Sequence, residues 1–316
     1  LLLLDATGAF RGKLSGKFLH EAVAASERPC VGDWVWVEKA PGDSFAIVHA
    51  VLERRTGLHR KAAGESVELQ MIAANVDVVI IVQSCHFDFN LKRLERYLVM
   101  VREGGATPCV LLTKTDLVEP EVLAGQLEEI RSAGIEAPVL TLSNVTHEGV
   151  DELRRRLASG KTYCFVGSSG VGKSTLINAL LGRDRLETKA VSGTGEGRHT
   201  TVRRELLVLD NGAMVIDNPG MRELGLLGAE SGIAASFADI GALSSRCRFR
   251  DCTHGQEPGC AVRVALESGE LDAGHYENFL KLQSESEYLQ MSYAEKRKKE
   301  KDFGRFIKSV KKQLGD

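Results

Sequence analysis

One segment past the middle of the chain restricts the possible folds more than any other: KTYCFVGSSGVGKSTL at 161–176. It reads as an apolar strand, then the pattern G-x-x-x-x-G-K-S, then a short helix closed by Gly182. In that setting the pattern predicts a phosphate-binding loop, because the glycines let backbone N–H groups and the helix N-terminus face phosphate oxygens. We expect Lys173 to reach the β- and γ-phosphates and the Ser174 hydroxyl to bind Mg²⁺. The predicted nucleotide-binding residues of the loop are Gly167, Ser168, Ser169, Gly170, Val171, Gly172, Lys173, Ser174 and Thr175.

Strands and helices alternate from residue 71 up to this loop. Apolar runs at 77–83, 108–112 and 137–142 read as buried strands, and helical periodicity follows them near 91–101, 120–133 and 148–158. This alternation is typical of a doubly wound α/β sheet. After the loop, the run LLVLDNGAMVID at 206–217 predicts a hairpin, since Asp210-Asn211-Gly212 is a strong turn signal.

A second candidate site for magnesium and the γ-phosphate is Asp217-x-x-Gly220, at the end of the predicted hairpin. Asp217 is a candidate to hold Mg²⁺ through water, and the Gly220 N–H is a candidate donor to the γ-phosphate. Between this motif and the phosphate loop lies SGTGEGRHTTVRRE at 192–205, a glycine-rich segment suited to switching with nucleotide state. Either Thr200 or Thr201 is expected to complete the Mg²⁺ shell, and spacing does not choose between them.

The residues Thr113-Lys114-Thr115-Asp116 follow the strand at 108–112 and predict guanine recognition. One carboxylate, that of Asp116, accepts both N1–H and N2–H₂ of guanine, and the stem of Lys114 can cover one face of the base. Asn is more usual at the position of Thr113, so we expect a modest affinity for guanine. Ser143, within LSN at 142–144, lies where a further backbone N–H can reach the guanine carbonyl.

The order of these motifs is informative. The residues predicted to bind the guanine base, at 113–116 and 142–144, come first in the chain. The residues predicted to bind the phosphates, at 167–175 and 217–220, follow them. GTPases normally have the reverse order, so the sequence predicts a circularly permuted α/β phosphate-loop GTPase core.

The flanking regions have different compositions. Residues 1–70 hold short alternating runs that predict a small β-barrel, and Trp34 and Trp36 share one strand face. These two rings either stack nucleic-acid bases or fill the barrel core, and the sequence leaves both readings open. Residues 296–312 hold nine Lys or Arg against two acids, although the whole chain has a net charge of −2. That run is either a solvated terminal helix or a patch for phosphate backbones.

The seven cysteines are unevenly placed, with three close together in the C-terminal region. Together with one histidine they form a candidate structural zinc site of three thiolates and one imidazole, and no position is left open for a reacting water. The candidate ligands are Cys247, Cys252, His254 and Cys260. Cys109 and Cys164 lie in apolar runs and are expected in the core, whereas His275 is expected at the surface.

The motifs together resemble the circularly permuted ribosome small-subunit-dependent GTPase A family of bacterial ribosome-assembly factors. The resemblance covers nearly the whole chain and is carried by AANVD (73–77), TKTD, GSSGVGKSTLINAL, GRHTT, DNPGMRELGL and the Cys/His cluster. It implies an N-terminal β-barrel (OB-fold) at 1–70, a circularly permuted GTPase domain at 71–228, and at 229–316 a small α-helical zinc-binding domain with a basic C-terminal helix.

The resemblance also implies chemistry and partners. Met221 follows Gly220 where many GTPases carry a water-positioning glutamine, and the family comparison indicates His199 as the catalytic residue instead. The alternative is that His199 only shapes its loop. The expected cofactors are Mg²⁺ with GTP and one structural Zn²⁺ per chain, and the expected partner is the small ribosomal subunit with its rRNA. Two departures are visible, since Asn218 replaces the more usual Thr or Ser and the barrel looks short.

The leading hypothesis is a GTP-hydrolysing factor in late assembly of the small (30S) subunit, stimulated by the subunit and released on hydrolysis. The alternatives are a catalytically weak RNA-binding scaffold, or a phosphate-loop ATPase or kinase of small molecules. No stretch approaches the length of a membrane span, and the opening LLLL is too short for a signal peptide, so we expect a cytoplasmic protein without a membrane partner. The sequence does not fix the oligomeric state, and a monomer is the simplest expectation.

Overall fold

The computed structural model describes residues 1–22, 24–40, 43, 45–61, 69–182, 205–217, 226, 228–291 and 295. The predicted residues His199, Thr200, Thr201 and Gly220 and the basic run at 296–312 lie outside these ranges. No helix within them is long and apolar enough to cross a lipid bilayer.

Short strands build the N-terminal region, as its alternating runs predict. Its elements are β1 (Leu2–Asp5), β2 (Gly8–Leu14), α1 (Gly16–Glu21), β3 (Val35–Glu38), β4 (Phe45–Val51), β5 (Gly57–Lys61) and β6 (Leu69–Ala74). Four strands form a sheet in the order β1-β2-β4-β3, with β2 and β4 parallel and the other neighbours antiparallel. β5 and β6 form a separate antiparallel pair. The four-stranded sheet is half of the expected barrel.

The two tryptophans lie on the outer face of the four-stranded sheet. Trp34 is 59% exposed and Trp36 is 64% exposed, whereas Ala46 and Val48 of β4 are fully buried. The Trp36 ring lies 5.4 Å from the ring of His49. The reading in which both tryptophans fill the core is therefore wrong, and both side chains are exposed enough to contact a partner.

A six-stranded sheet with flanking helices forms the centre of the molecule. Its elements are β7 (Val78–Ser84), α2 (Leu91–Glu103), β8 (Thr107–Thr113), α3 (Pro120–Ser132), β9 (Val139–Leu142), α4 (Val150–Arg156), β10 (Thr162–Val166), α5 (Lys173–Leu181), β11 (Glu205–Val208) and β12 (Met214–Asp217). The strand order is β11-β12-β10-β7-β8-β9, and every neighbouring pair is parallel except the antiparallel β11–β12 hairpin. The predicted α/β sheet and its terminal hairpin are confirmed.

Two apolar layers cover the faces of this sheet. Ile81 of β7 packs in one layer with α2, and Ile80, the preceding residue, packs in the other layer with α5. Successive side chains of a strand point to opposite faces, so a strand buried on both sides has no polar alternation. Cys109 and Cys164 are buried among these layers, as expected from their apolar runs.

The parallel direction of the strands determines where the site forms. Strands β7, β8, β9, β10 and β12 run parallel, so their carboxyl ends meet at one edge of the sheet. Loops at this edge are the usual position for ligand binding in open α/β sheets. All the predicted nucleotide-binding segments that the structure describes follow one of these strands.

Within residues 228–291, the C-terminal region has four helices: α6 (Glu230–Ser236), α7 (Ala238–Ser244), α8 (Ala261–Ser268) and α9 (Ala273–Gln290). Their apolar core includes Val99 of α2, so this region packs directly against the central sheet domain. Helix α6 comes especially close to α2, because a Cβ added at Gly232 would lie 2.3 Å from the Val99 carbonyl oxygen. Glu103 of α2 also accepts a hydrogen bond from the Gly232 N–H at 2.7 Å.

His275 is buried at this contact, so the expectation of a surface position is wrong. Only 3% of the side chain is exposed, and its Nδ1 pairs with Glu95 of α2. Its Nε2 lies 3.2 Å from a carboxylate oxygen of Asp239, and the Phe237 ring packs at 4.7 Å. Asn278 donates to the second oxygen of Glu95. Helical spacing in α9 does not reveal this burial, because it is produced by docking against α2.

The His275 contact makes stability depend on pH. Burial lowers the pKa of His275, but Asp239 and Glu95 together outweigh it and raise the pKa from 6.5 to about 9. The folded state therefore holds the proton more tightly than the unfolded state. This contribution is full below pH 6.5 and is lost as the pH rises through about 9.

We expect His275→Gln to destabilise the protein by roughly 1–3 kcal/mol at pH 6, because Glu95 then loses its buried cationic partner. The difference from wild type should shrink as the pH is raised towards 10. Chemical unfolding at several pH values measures it, with the exposed His20→Gln as the matched control. A destabilisation that stays constant from pH 6 to pH 10 would contradict a charged His275.

Candidate nucleotide and metal sites

The phosphate loop has the curled backbone that its glycines predict. Gly167, Gly170 and Gly172 have φ angles of 145°, 81° and 96°, and α5 begins directly after Gly172. At Gly167 a side chain is also excluded by space, because a Cβ would lie 2.2 Å from the Val82 carbonyl oxygen of β7. The loop is therefore held against the neighbouring strand, with the N-terminus of α5 at its end.

The Lys173 side chain lies inside this loop and bonds to its backbone. Its side chain is 6% exposed, and its Nζ donates to the carbonyl oxygens of Gly167 at 2.8 Å and Ser168 at 2.6 Å. An ammonium has three N–H donors, so these two contacts leave one for a phosphate oxygen. Burial lowers the pKa of Lys173 to about 8, while Asp217 and Asp88 act in the opposite direction.

Asp217 is the last residue of β12, and its carboxylate interacts electrostatically with Lys173. It is 3% exposed, and its Oδ1 has no hydrogen-bond partner among the residues that the structure describes. Burial raises the pKa of Asp217, whereas Lys173 and the Ser174 hydroxyl lower it. A buried carboxylate oxygen without a partner, beside a serine hydroxyl, fits the oxygen ligands that Mg²⁺ prefers. Thr175 is exposed in the first turn of α5.

Thr113 joins the base-reading segment to the phosphate loop. The side chain is fully buried at the end of β8, and its hydroxyl donates to the Val171 carbonyl oxygen at 2.7 Å. This contact spans 58 residues of sequence. Thr113 thus links the 113–116 segment to the phosphate loop by a hydrogen bond, although it lacks the side-chain amide of the more usual asparagine.

Asp116 is exposed, and Ser143 orients its carboxylate. Thr115 and Asp116 form a short 3₁₀ turn after β8, and the Asp116 Oδ1 accepts a hydrogen bond from the Ser143 hydroxyl. Ser143 is fully buried, and its own backbone N–H donates to the Glu148 carbonyl oxygen at 3.0 Å. The Ser143 N–H is thus bonded within its own loop, and the Ser143 side chain positions Asp116. The predicted contact from a backbone N–H of 142–144 to the guanine carbonyl stays a prediction.

Asn144 is a site residue for which the sequence provided little signal. Its Nδ2 donates to the Gly172 carbonyl oxygen at 3.2 Å, and its Oδ1 is buried without a partner within the described ranges. This hydrogen bond is a second link to the phosphate loop, here from the loop that follows β9. Only the position of LSN after a strand pointed to this segment.

The loop between β7 and α2 also reaches the site, which the sequence analysis did not predict. Asp88 in this loop is 8% exposed, and its Oδ1 pairs with Arg93 of α2 at 2.8 Å. Burial raises the pKa of Asp88, while Arg93, Ser168 and Lys173 lower it. The signal available in the sequence was position alone, since this loop follows a buried strand.

The four predicted zinc ligands come together in the C-terminal region. Their ligand atoms all lie within 4.8 Å of one another. His254 Nδ1 lies 3.4 Å from the Cys260 sulfur and 3.6 Å from the Cys247 sulfur, and those two sulfurs are 3.9 Å apart. Bond lengths of about 2.3 Å to sulfur and 2.0 Å to nitrogen in a tetrahedron require ligand separations of roughly 3.5–3.8 Å. Cys252 completes the set, so the donor set fits a closed zinc site.

The imidazole of His254 is also oriented from outside the cluster. Its Nε2 lies 3.0 Å from the Ser244 hydroxyl, and when Nε2 is the donor of this hydrogen bond the Nδ1 lone pair is free for a metal. Cys260 in addition begins α8, where its sulfur accepts from the Arg263 N–H. The cluster therefore links the loop at 247–260 to the helical core.

Comparisons with known proteins agree with this geometry. The sequence model of a family described as RsgA GTPase matches residues 51–227. The small ribosomal subunit biogenesis GTPase RsgA of Opitutus terrae is 46% identical over 297 residues, covering 91% of this chain and 80% of that protein. The protein of the same name from Syntrophotalea carbinolica is 40% identical and covers 99% and 89%.

Two solved structures share the fold over nearly the whole length. YjeQ from Thermotoga maritima superposes with a TM-score of 0.67 at 28% identity, covering 91% of this chain and 93% of that one. YloQ, described as a circularly permuted GTPase, has a TM-score of 0.64 at 28% identity, with 92% of each chain covered. With the permuted order of its motifs, its sheet topology and these matches, the chain belongs to the RsgA family of circularly permuted GTPases.

Proposed function

We propose that this protein acts in late assembly of the small (30S) ribosomal subunit, with GTP turnover stimulated by the subunit and release coupled to hydrolysis. The observation that carries this proposal is the direct hydrogen bond from Thr113 to Val171, because it joins a guanine-reading segment to a phosphate loop in one site. The curated relatives carry the name of a small ribosomal subunit biogenesis GTPase over most of their length. The protein acts as a cytoplasmic monomer without a membrane partner.

Residues of the chain divide the work of hydrolysis. Lys173 neutralises charge on the β- and γ-phosphates, and Ser174 and Asp217, with Thr200 or Thr201, would hold Mg²⁺. When bound, the metal offsets the charge that develops on the phosphate oxygens. Gly220 donates its N–H to the γ-phosphate. Met221 cannot orient water, so His199 positions the attacking water, and the free protein turns over slowly.

Three surfaces are suited to rRNA. Trp34 and Trp36 offer exposed side chains on the N-terminal sheet, where bases can stack. The basic run at 296–312 offers charge for phosphate backbones. The zinc site holds a third, polar loop in shape between α7 and α8.

The proposed release of the protein from the subunit on GTP hydrolysis is supported by the chain connection between the nucleotide site and the C-terminal region. The segment after Asp217 senses the γ-phosphate through Gly220 and leads directly into the C-terminal region, which packs on α2. We infer that loss of the γ-phosphate, acting through this connection, changes how the flanking regions sit on rRNA. Equal affinities of the GTP-bound and GDP-bound protein for the subunit, at matched salt, would contradict coupled release.

GTP turnover with and without purified small subunits tests the proposal. We expect slow hydrolysis by the free protein, because Met221 cannot orient the attacking water. We expect a stimulation of at least about tenfold by small subunits, because the subunit would supply the missing stabilisation of the transition state. Lys173→Ala is the control for contaminating activity and should abolish both rates. No stimulation would favour a scaffold, and equal competition by ATP would favour an ATPase or kinase.

A further inference from the structure

An exposed aromatic ring lies beside the base-reading lysine. Phe87, in the loop between β7 and α2, is 54% exposed. The Nζ of Lys114 lies over this ring, 4.6 Å from its centroid. This pair joins the predicted guanine site to the β7–α2 loop, whose Asp88 also interacts with the phosphate loop.

The loop that carries Phe87 is held firmly at both ends. Gln83 and Asn90 exchange two hydrogen bonds across its base, at 3.0 and 3.2 Å. The His86 N–H donates to the Ser84 hydroxyl, and Arg93 pairs with Asp88. The ring of Phe87 is therefore presented from a defined scaffold and not from a free terminus.

Lys114 leaves its strand in a constrained direction. Its φ and ψ are 59° and 40°, in the left-handed region of backbone conformation that residues other than glycine rarely adopt. Asp116 follows two residues later in the same turn. The Lys114 side chain therefore starts two residues before the predicted guanine-binding carboxylate and ends with its Nζ over the Phe87 ring.

Ordering of the Lys114 side chain affects nucleotide affinity, because a free lysine side chain has many rotamers. Ordering it only when the nucleotide arrives would reduce affinity by the entropy lost, whereas ordering it beforehand avoids that loss. Cation–π attraction to a phenyl face supplies such an anchor without removing the charge.

We propose that Phe87 is a positioning residue of the guanine site, which holds the Lys114 stem in place to cover one face of the base. The inference rests on the proposed reading of guanine by Thr113–Asp116. It adds the β7–α2 loop as a wall of the nucleotide site.

Equilibrium binding of a fluorescent GDP analogue tests this role. Phe87→Ala should weaken GDP and GTP binding about three- to tenfold, while competition by inorganic tripolyphosphate, which occupies only the phosphate loop, stays unchanged. The KM for GTP should rise by the same factor, with kcat within about twofold of wild type. Phe87→Tyr and Phe87→Trp should restore affinity, and Phe87→Leu should not, because leucine has no π face.

A matched control and a double variant sharpen the test. Phe249 in the C-terminal region is 41% exposed and has the Arg248 guanidinium 5.5 Å from its ring centroid, so Phe249→Ala removes a similar pair far along the chain. It should leave GDP affinity unchanged. Lys114→Met combined with Phe87→Ala should bind GDP no more weakly than Lys114→Met alone, since the two residues act together.

The outcomes separate this inference from the proposed function. Wild-type protein that does not prefer GDP over ADP would overturn the guanine site itself. Wild-type protein that prefers GDP, with unchanged affinity in Phe87→Ala, would overturn only the role of Phe87. An equal loss of tripolyphosphate and GDP binding would also overturn it, since the loop would then act on the phosphate site.

Discussion

Asp116→Asn is expected to change the preferred nucleotide from GTP to XTP, with a total change in relative kcat/KM on the order of 10⁴. In the proposed guanine site, the Asp116 carboxylate accepts two hydrogen bonds from the N1–H and N2–H₂ of guanine. An amide offers one acceptor and one donor, which matches xanthine, whose C2 position carries a carbonyl. In the guanine complex the amide N–H₂ would instead face the N2–H₂ of the base, and both donors would be left without partners.

The structure indicates that Asp116→Asn changes base recognition without disturbing the fold. Asp116 is exposed, so asparagine does not disturb a core, and the Ser143 hydroxyl that contacts Oδ1 can donate equally to an amide oxygen. Competition between GTP and XTP in steady-state hydrolysis measures the change. Asp151→Asn, an exposed acid on α4, is the matched control and should retain the guanine preference. Retention of that preference by Asp116→Asn would mean that another group reads the base.

Loss of zinc is expected to unfold the C-terminal helical region while nucleotide binding persists. A structural zinc site contributes about 10–16 kcal/mol of apparent binding free energy, which is as large as the total stability of a typical domain. Cys252→Ser should therefore abolish stoichiometric zinc and reduce the helical circular dichroism signal. Nucleotide affinity should change by less than about fivefold, because the described nucleotide-binding loops belong to the six-stranded sheet.

Cys252 is the informative ligand for this experiment. Cys260 is 2% exposed in the helical core and begins α8, so its replacement would combine metal loss with a packing defect. Cys252 is only half-buried. Cys30→Ser, a half-buried cysteine of the N-terminal region, is the control and should keep one zinc per chain. Wild-type protein without zinc, or Cys252→Ser that retains it, would contradict the site.

Both the fold class and the central chemistry were accessible from local sequence. The phosphate loop needs glycines, a lysine and a serine at adjacent positions, so a contiguous segment carries the whole signal. The zinc ligands likewise fall within residues 247–260, and their four atoms do meet. The permuted order of the motifs required only that each be recognised, because parallel strands bring their carboxyl ends to one edge whatever their order in the chain.

Contacts between distant segments could not be obtained in this way. The sequence did not show that Thr113 bonds to Val171, that Ser143 orients Asp116, or that the β7–α2 loop adds Phe87 and Asp88 to the site. Each pair depends on which strands are neighbours, and β7 lies beside both β8 and β10 only in the folded sheet.

The sequence by itself therefore determined the chemical groups: a phosphate loop, a carboxylate predicted to bind guanine, and a three-cysteine, one-histidine cluster. Each is carried by residues close together in the chain. Tertiary structure alone decided their surroundings, burying His275 against Glu95 of α2 and leaving Trp34 and Trp36 open to solvent. The physical reason is that burial depends on how whole faces of helices and sheets pack. Local pattern reports the apolar periodicity of an element but not the element that will cover it.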